Sequence, residues 1–167
     1  MEESGKTTVF ISWSAARSRA LAMALREFLG NVIQSVRPYM SDRDLQAGEV
    51  WDPKLFEMIG VAKFGVACVT AENHGSPWLH FEAGALANAV SEERRLCPYL
   101  LGLRKADLRP PLARFQAKEP NETDTFALIE SVNAICTPPL PQDKLRLVFD
   151  KFWPDFAKAI SEIPSVN

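Results

Sequence analysis

The sequence predicts an α/β fold in which a parallel five-stranded sheet lies between layers of helices. Short apolar stretches alternate with amphipathic ones along the chain, a pattern typical of repeated strand–helix units. Phe64–Thr70 is a continuous apolar run, as expected of a strand buried on both faces of a parallel sheet. Pro38 lies within a weaker strand and places it at a sheet edge, because proline cannot donate to the ladder.

The chain begins with one strand–helix unit followed by the edge strand. Thr8–Trp13 is rich in β-branched and aromatic residues and is predicted as the first strand. Arg17–Leu29 places its leucines and Phe28 on one face, which favours an amphipathic helix that Gly30 would end. The second strand is predicted at Gln34–Met40.

The middle of the chain repeats the alternation. A polar loop at Ser41–Val50 precedes a short helix at Trp51–Ile59 and the apolar strand. Pro77–Ala89 then reads as a helix, with proline suited to its first turn. Leu96–Leu101 is the predicted fourth strand, and Leu112–Ala117 is predicted as a short fifth strand at the other edge.

The C-terminal part is predicted to be helical. A turn at Asn121–Asp124 precedes a helix at Thr125–Ile135, and a proline-rich linker leads to a last helix at Asp143–Ile160. The last helix has an apolar stripe that we interpret as core, formed by Leu145, Val148, Phe149, Phe152, Phe156 and Ile160. We therefore predict a single domain, 1–167. Its flavodoxin-like three-layer sandwich, of strand order 2-1-3-4-5, would span about 7–137, with an additional C-terminal helix at about 142–161.

Composition excludes several functional classes. The 167 residues carry a net charge of −2, which provides no basic surface for nucleic acid or membrane lipids. Cys68 and Cys97 lie in apolar runs and are predicted to be buried thiols rather than a disulfide framework. His74 and His80 are too few for a zinc site. With no apolar leader at the start, we expect a cytoplasmic protein without a metal.

One helix carries a carboxylate in an unusual setting. On Pro77–Ala89, a stripe beside the apolar face contains Trp78, Glu82 and two alanines. A buried glutamate is expected to be paired or functional, so this stripe resembles the wall of a cleft. The alternative is a helix edge on which Glu82 forms an ordinary ion pair.

The predicted topology brings three segments to one crevice. In sheets of this order, ligands bind outside the carboxyl ends of the strands, between strands one and three. The crevice would be formed by Ser12–Ser14, the loop Ser41–Trp51 and the helix that carries Glu82. Because glycine-rich phosphate loops are absent from the sequence, phosphates would contact helix N-termini or side chains such as Arg17, Arg19 or Arg43.

Three sequence segments resemble the conserved boxes of TIR (Toll/interleukin-1 receptor) domains. They are VFISWS, DRDLQAGEVW and PWLHFE, which occur in the family's order and spacing over roughly Thr7–Ala117. The Trp-x-x-x-Glu arrangement in the third resembles the NAD-cleaving members. The set is more similar to bacterial TIR proteins of anti-phage defence than to animal receptor adaptors.

The resemblance implies an NAD+ glycohydrolase that releases nicotinamide and either ADP-ribose or a cyclic isomer. The implied catalytic residue is Glu82. The implied substrate-binding residues are Trp13, Ser14, Trp51, Trp78, Asp42 and Arg43. Some members carry a basic residue where this chain has Ser14, which leaves the phosphate contacts open. Trp51 could instead fix the second helix to the core, and Trp13 could be a core residue at the strand end.

The resemblance also implies a biological setting. NAD+ would be the substrate, with no further cofactor, and TIR–TIR contacts would form a homo-oligomer that acts in bacterial immune signalling or abortive infection. A sensor or effector would be a separate protein. Two alternatives remain: a non-catalytic TIR assembly module, and a nucleoside deoxyribosyltransferase-like enzyme with a nucleophilic glutamate.

Overall fold

The computed structural model describes residues 5–40, 61–73, 95–110 and 112–164. Within these ranges the chain forms four strands and three α-helices, together with two short 3-10 turns. The strands are β1 (Thr7–Ser12), β2 (Val36–Met40), β3 (Phe64–Thr70) and β4 (Arg95–Leu101). The helices are α1 (Ala16–Val32), α2 (Glu122–Ala134) and α3 (Gln142–Ser161).

The strands form one parallel sheet in the order β2-β1-β3-β4. Of the described strands, β2 pairs with β1 alone, which confirms the edge position that Pro38 predicts. All seven residues of β3 are buried between β1 and β4, which confirms the apolar run as a central strand. The first four positions of the predicted order are therefore confirmed.

The predicted fifth strand at Leu112–Ala117 is wrong, since Leu112–Arg114 forms a 3-10 turn. Of the described residues from Leu112 to Lys118, only Lys118 pairs with β4: its amide donates to the Pro98 carbonyl at 2.8 Å, and its carbonyl accepts from the Leu100 amide at 2.9 Å. Within a strand, the N–H and C=O of one residue point to the same edge. Pro98 thus lacks a donor at the edge where a fifth strand would pair.

Helix α1 continues beyond Gly30, where the sequence predicts its end. Val32 and Ile33 are buried, and the Ile33 amide still donates to the Leu29 carbonyl at 2.9 Å. A helical glycine costs about 0.5–1 kcal/mol relative to alanine. Burying one large aliphatic side chain contributes about 1.5–3 kcal/mol, so packing outweighs the local preference of Gly30.

All three helices contribute to the core on one side of the sheet. Phe28 of α1 stacks on Phe156 of α3 with ring centroids 4.4 Å apart. The Tyr99 and Thr125 hydroxyls form a buried hydrogen bond of 2.7 Å, which ties β4 to α2. The apolar stripe predicted for the last helix is confirmed as core, with Phe149 wholly buried.

The cysteines are free and buried, which confirms the prediction of thiols for Cys68 and Cys97. Burial raises the pKa of the Cys68 thiol well above its usual range and that of Cys97 to about 12. Both thiols therefore stay protonated at neutral pH. No helix in the described ranges combines the length and apolar character needed to span a membrane.

Candidate active-site edge

The carboxyl ends of β1 and β3 form the edge where the sequence predicts a ligand crevice. The chain leaves β1 at Ser12, passes to β2 on one side and later returns to β3 on the other. This is the topological switch point of the sheet, where open α/β sheets bind ligands. Trp13, Ser14 and Ala15 form the connection from β1 to α1 at this point.

Both backbone polar groups of Ser14 are bound by side chains. The Ser14 amide donates to Ser18 Oγ at 3.1 Å, and the Ser14 carbonyl accepts from Asn73 Nδ2 at 2.8 Å. Ser18 Oγ and Asn73 Nδ2 both donate to the Cys68 carbonyl, at 2.7 and 3.1 Å. The connection after β1 is therefore held to the end of β3 through one shared acceptor.

Asn73 closes a turn at the end of β3. The backbone amide of Asn73 donates to the Thr70 carbonyl at 3.2 Å, and its side-chain Oδ1 accepts from the Thr70 backbone amide at 2.6 Å. The side chain is almost fully buried, at 2 % exposure. Asn73 uses its side-chain acceptor and donors together, so the turn after β3 and the connection after β1 are fixed as one unit.

Ala15 has a backbone conformation that L-residues rarely adopt, with φ 77° and ψ 163°. This region is essentially restricted to glycine, and an alanine there is strained by about 1–3 kcal/mol. The Ala15 carbonyl accepts from the Arg19 amide at 2.9 Å as α1 begins. The strain lies directly beside Ser14, the residue that Ser18 and Asn73 hold in place.

An ion pair lies at the same edge. Arg17 Nη1 donates to Glu72 Oε1 at 3.0 Å and to Oε2 at 3.1 Å. The carboxylate balances the charge of Arg17, one of the three arginines that the sequence suggests for phosphate contact. The pair links the first turn of α1 to the segment after β3.

This edge of the sheet lies within a segment that matches a known protein family. The model of the TIR domain family matches residues 9–130, which contain the sheet apart from the first two residues of β1, and most of α2. The chain belongs to the TIR domain family. This family includes enzymes that cleave NAD+ as well as non-catalytic adaptors. Helix α3 lies beyond the matched segment of this TIR domain.

Solved structures with a similar arrangement are distant in sequence. The TIR domains of the activated Roq1 resistosome, which directly recognises the pathogen effector XopQ, share 15% identity at a TM-score of 0.49, covering 95% of this chain and 83% of theirs. A diflavin flavoprotein A3 from Nostoc sp. shares 13% identity at a TM-score of 0.41, covering 93% and 94%. A search of curated proteins finds no match.

The described residues place two of the predicted site residues, Trp13 and Ser14, at this edge of the TIR domain. The Trp13 ring is 5% exposed and lies in the core cluster, with the Arg19 guanidinium 5.8 Å from its centroid. This geometry agrees with the core alternative for Trp13. Ser14 is half-buried and lies in the connection from β1 to α1.

The other predicted site residues lie outside the described residues, as do the predicted helices and loop that carry them. These residues are Asp42, Arg43, Trp51, Trp78 and Glu82; the segments are Ser41–Val50, Trp51–Ile59 and Pro77–Ala89. In the described ranges, no cluster of histidine, cysteine and acidic side chains could hold a metal ion.

Sequence reasoning missed the residues that organise the edge, namely Ser18, Glu72 and Asn73. Asparagine in the turn after a strand is a recognised turn former, and a serine in the first turn of a helix can bind nearby backbone amides. Those patterns could have identified local bonds. The bond from Asn73 to Ser14 and the ion pair between Glu72 and Arg17 each span more than fifty residues of sequence, so no local pattern predicts them.

Proposed function

We propose that this TIR domain cleaves NAD+ at the bond between nicotinamide and ribose, with Glu82 as the catalytic carboxylate. The Trp78-x-x-x-Glu82 sequence carries the proposal, because the family includes NAD-cleaving enzymes and this arrangement resembles theirs. Asp42, Arg43, Trp51 and Trp78 would complete the substrate site with Ser14.

The described geometry supports a site at this position. Asn73, which is bonded to Ser14, lies at the start of the connection between β3 and β4 that also contains Trp78 and Glu82. The connection therefore leaves the sheet at its switch point, where ligands of open α/β sheets bind. A family pattern and a topological rule point to the same edge of the sheet.

The proposed reaction requires only one carboxylate. Glycosidases usually need a second acid, because the leaving oxygen must be protonated. In NAD+ the leaving group is a pyridinium, so nicotinamide departs neutral without taking up a proton. A desolvated carboxylate near the ribose can bind it and stabilise the positive charge that develops at the anomeric carbon. Attack by water gives ADP-ribose, whereas attack by the adenine or a ribose hydroxyl gives a cyclic product.

We further propose that activity depends on self-assembly through TIR–TIR contacts, as the resemblance implies. The specific activity, measured as nicotinamide released per mole of chain, is then expected to rise with protein concentration. A subunit that completes its neighbour's site would cause this behaviour. In the proposed role in bacterial immune signalling or abortive infection, expression of the active protein would deplete cellular NAD+.

The test is to incubate the purified chain at high concentration with NAD+ and, separately, with a deoxynucleoside and a free base. Separation of the products by mass and retention time is expected to show nicotinamide together with linear or cyclic ADP-ribose. Base exchange without nicotinamide release would favour the deoxyribosyltransferase alternative. Neither product at any protein concentration would contradict the proposal and favour the assembly module.

A further inference from the structure

We infer that Asn73 is a positioning residue for NAD+ cleavage, an inference that rests on the proposed function. Its side-chain amide would hold the Ser14 backbone in the geometry that the substrate site requires. Asn73 would act through Ser14 and would not touch the reacting atoms. Its loss should reduce the efficiency of cleavage by more than its effect on folding explains.

The hydrogen bonds leave Ser14 little freedom to move. Its amide and its carbonyl are bound by two different side chains, Ser18 and Asn73, at 3.1 and 2.8 Å. Both side chains are also bonded to the carbonyl of Cys68 in the central strand. Ser14 is thus fixed relative to β3, the strand whose following segment contains Glu82.

Only an asparagine fits the bonds made at position 73. Oδ1 accepts from the Thr70 amide, and the two Nδ2 protons go to the carbonyls of Ser14 and Cys68. Aspartate has the same shape and can still accept from Thr70. It cannot donate to two carbonyls, and its charge would be buried against their oxygens.

The position of the bond argues for a role beyond stability. The β1–β3 register ends at Ser12 paired with Ala67, so Asn73 joins the two chain segments beyond the last paired residues. Ala15, which follows Ser14, has a strained backbone. Without the bond from Asn73, the connection could relax from this conformation and displace Ser14. Small displacements of substrate-binding groups strongly reduce catalytic rates.

The chain provides a matched control in Asn133. This residue is 6% exposed; its Nδ2 donates to the Leu140 carbonyl at 3.0 Å, and its Oδ1 accepts from the Leu140 amide at 2.9 Å. Asn133 therefore makes the same kind of side-chain clasp as Asn73. It joins the end of α2 to the segment before α3 instead of the carboxyl edge.

The experiment compares Asn73→Asp with Asn133→Asp. Urea unfolding reports the loss of stability, and nicotinamide release at one fixed protein concentration reports kcat and KM for NAD+. Both variants should lower the unfolding midpoint. Asn73→Asp should lower kcat/KM by about ten- to hundredfold, whereas Asn133→Asp should leave it within about twofold of wild type. Equal kcat/KM in the two variants would overturn the role of Asn73.

Asn73→Ala provides a second route if Asn73→Asp does not fold. It removes the side-chain bonds to Ser14 and Cys68 without burying a charge, and it should lower kcat/KM in the same direction. Unchanged kcat/KM in a folded Asn73→Ala protein would overturn the inference alone. A wild-type protein that releases no nicotinamide at any concentration would overturn the proposed function, and the inference with it.

Discussion

Arg17 and Glu72 form an ion pair across the carboxyl edge of the sheet, with Nη1 and Oε1 3.0 Å apart. The Arg17 side chain is only 16% exposed. Its guanidinium also lies beside Gly102, where a Cβ would come within 3.5 Å of Nη2. One cation thus joins the start of α1 to the segment that follows β3 and lies beside the residue that follows β4.

Glu72→Gln should make the free energy of unfolding depend less on pH in the acid range. Partial burial opposes ionisation, but the Glu72 backbone amide, the nearby Thr70 hydroxyl and Arg17 outweigh it and lower the pKa of Glu72 below 4.5. The unfolded chain then binds this proton more tightly than the folded one. The stabilisation is complete at neutral pH and is lost as the pH falls from the unfolded value through the lower folded value.

Urea unfolding of wild type and Glu72→Gln checks this expectation. At neutral pH the variant should be less stable by up to about 1 kcal/mol. The difference should shrink as the pH falls below about 4.5, the range in which the carboxyl takes up its proton. Glu130→Gln is the control, since Glu130 accepts from the neutral Gln142 at 2.8 Å. A difference that is equal at neutral and acid pH would refute the assignment to Glu72.

Ala15→Gly should stabilise the fold. Glycine adopts φ 77° and ψ 163° without the strain of about 1–3 kcal/mol that alanine incurs. The greater freedom of glycine in the unfolded chain offsets about 0.4–1 kcal/mol of this gain. The free energy of unfolding, measured in urea, should therefore rise by about 1 kcal/mol. A lower midpoint for the variant would show that the Ala15 conformation is unstrained.

Gly30→Ala should also stabilise the fold, because Gly30 lies inside α1 and a Cβ there meets no atom within 4 Å. The expected gain is about 0.5–1 kcal/mol in thermal or urea unfolding. Gly102→Ala is the opposite control, since the φ of 72° at Gly102 lies in the left-handed region that disfavours a side chain. Equal effects of the two substitutions would contradict this account of the glycines.

The sheet could be predicted where local pattern and tertiary environment agree. Phe64–Thr70 is apolar throughout because it is buried on both faces, and its observed bounds match the predicted ones. Pro38 indicated an edge because a missing donor is tolerated there. The prediction failed at Leu112–Ala117, where the deciding residue was Pro98 in the neighbouring strand. The missing backbone donor lies in the neighbouring strand, so it cannot be read from the sequence of Leu112–Ala117.

The candidate site was predictable at the level of topology and less so at the level of contacts. Strand order alone located the edge that contains Ser14. The bonds from Asn73 and the ion pair between Arg17 and Glu72 depend on how two distant segments meet. Trp13 illustrates a further limit, since an aromatic residue at a strand end suits both a core and a pocket. Its burial favours the core alternative.

Nicotinamide release by Glu82→Gln is the most direct test of the catalytic assignment. The variant should be compared with wild type and with Glu27→Gln, which alters an exposed acid on α1, at equal high protein concentration. Circular dichroism should show that all three are folded. We predict that Glu82→Gln lowers the rate by at least about 100-fold, as expected on losing charge stabilisation in the transition state, whereas Glu27→Gln retains it. A folded Glu82→Gln protein that releases nicotinamide at the wild-type rate would contradict the role of Glu82.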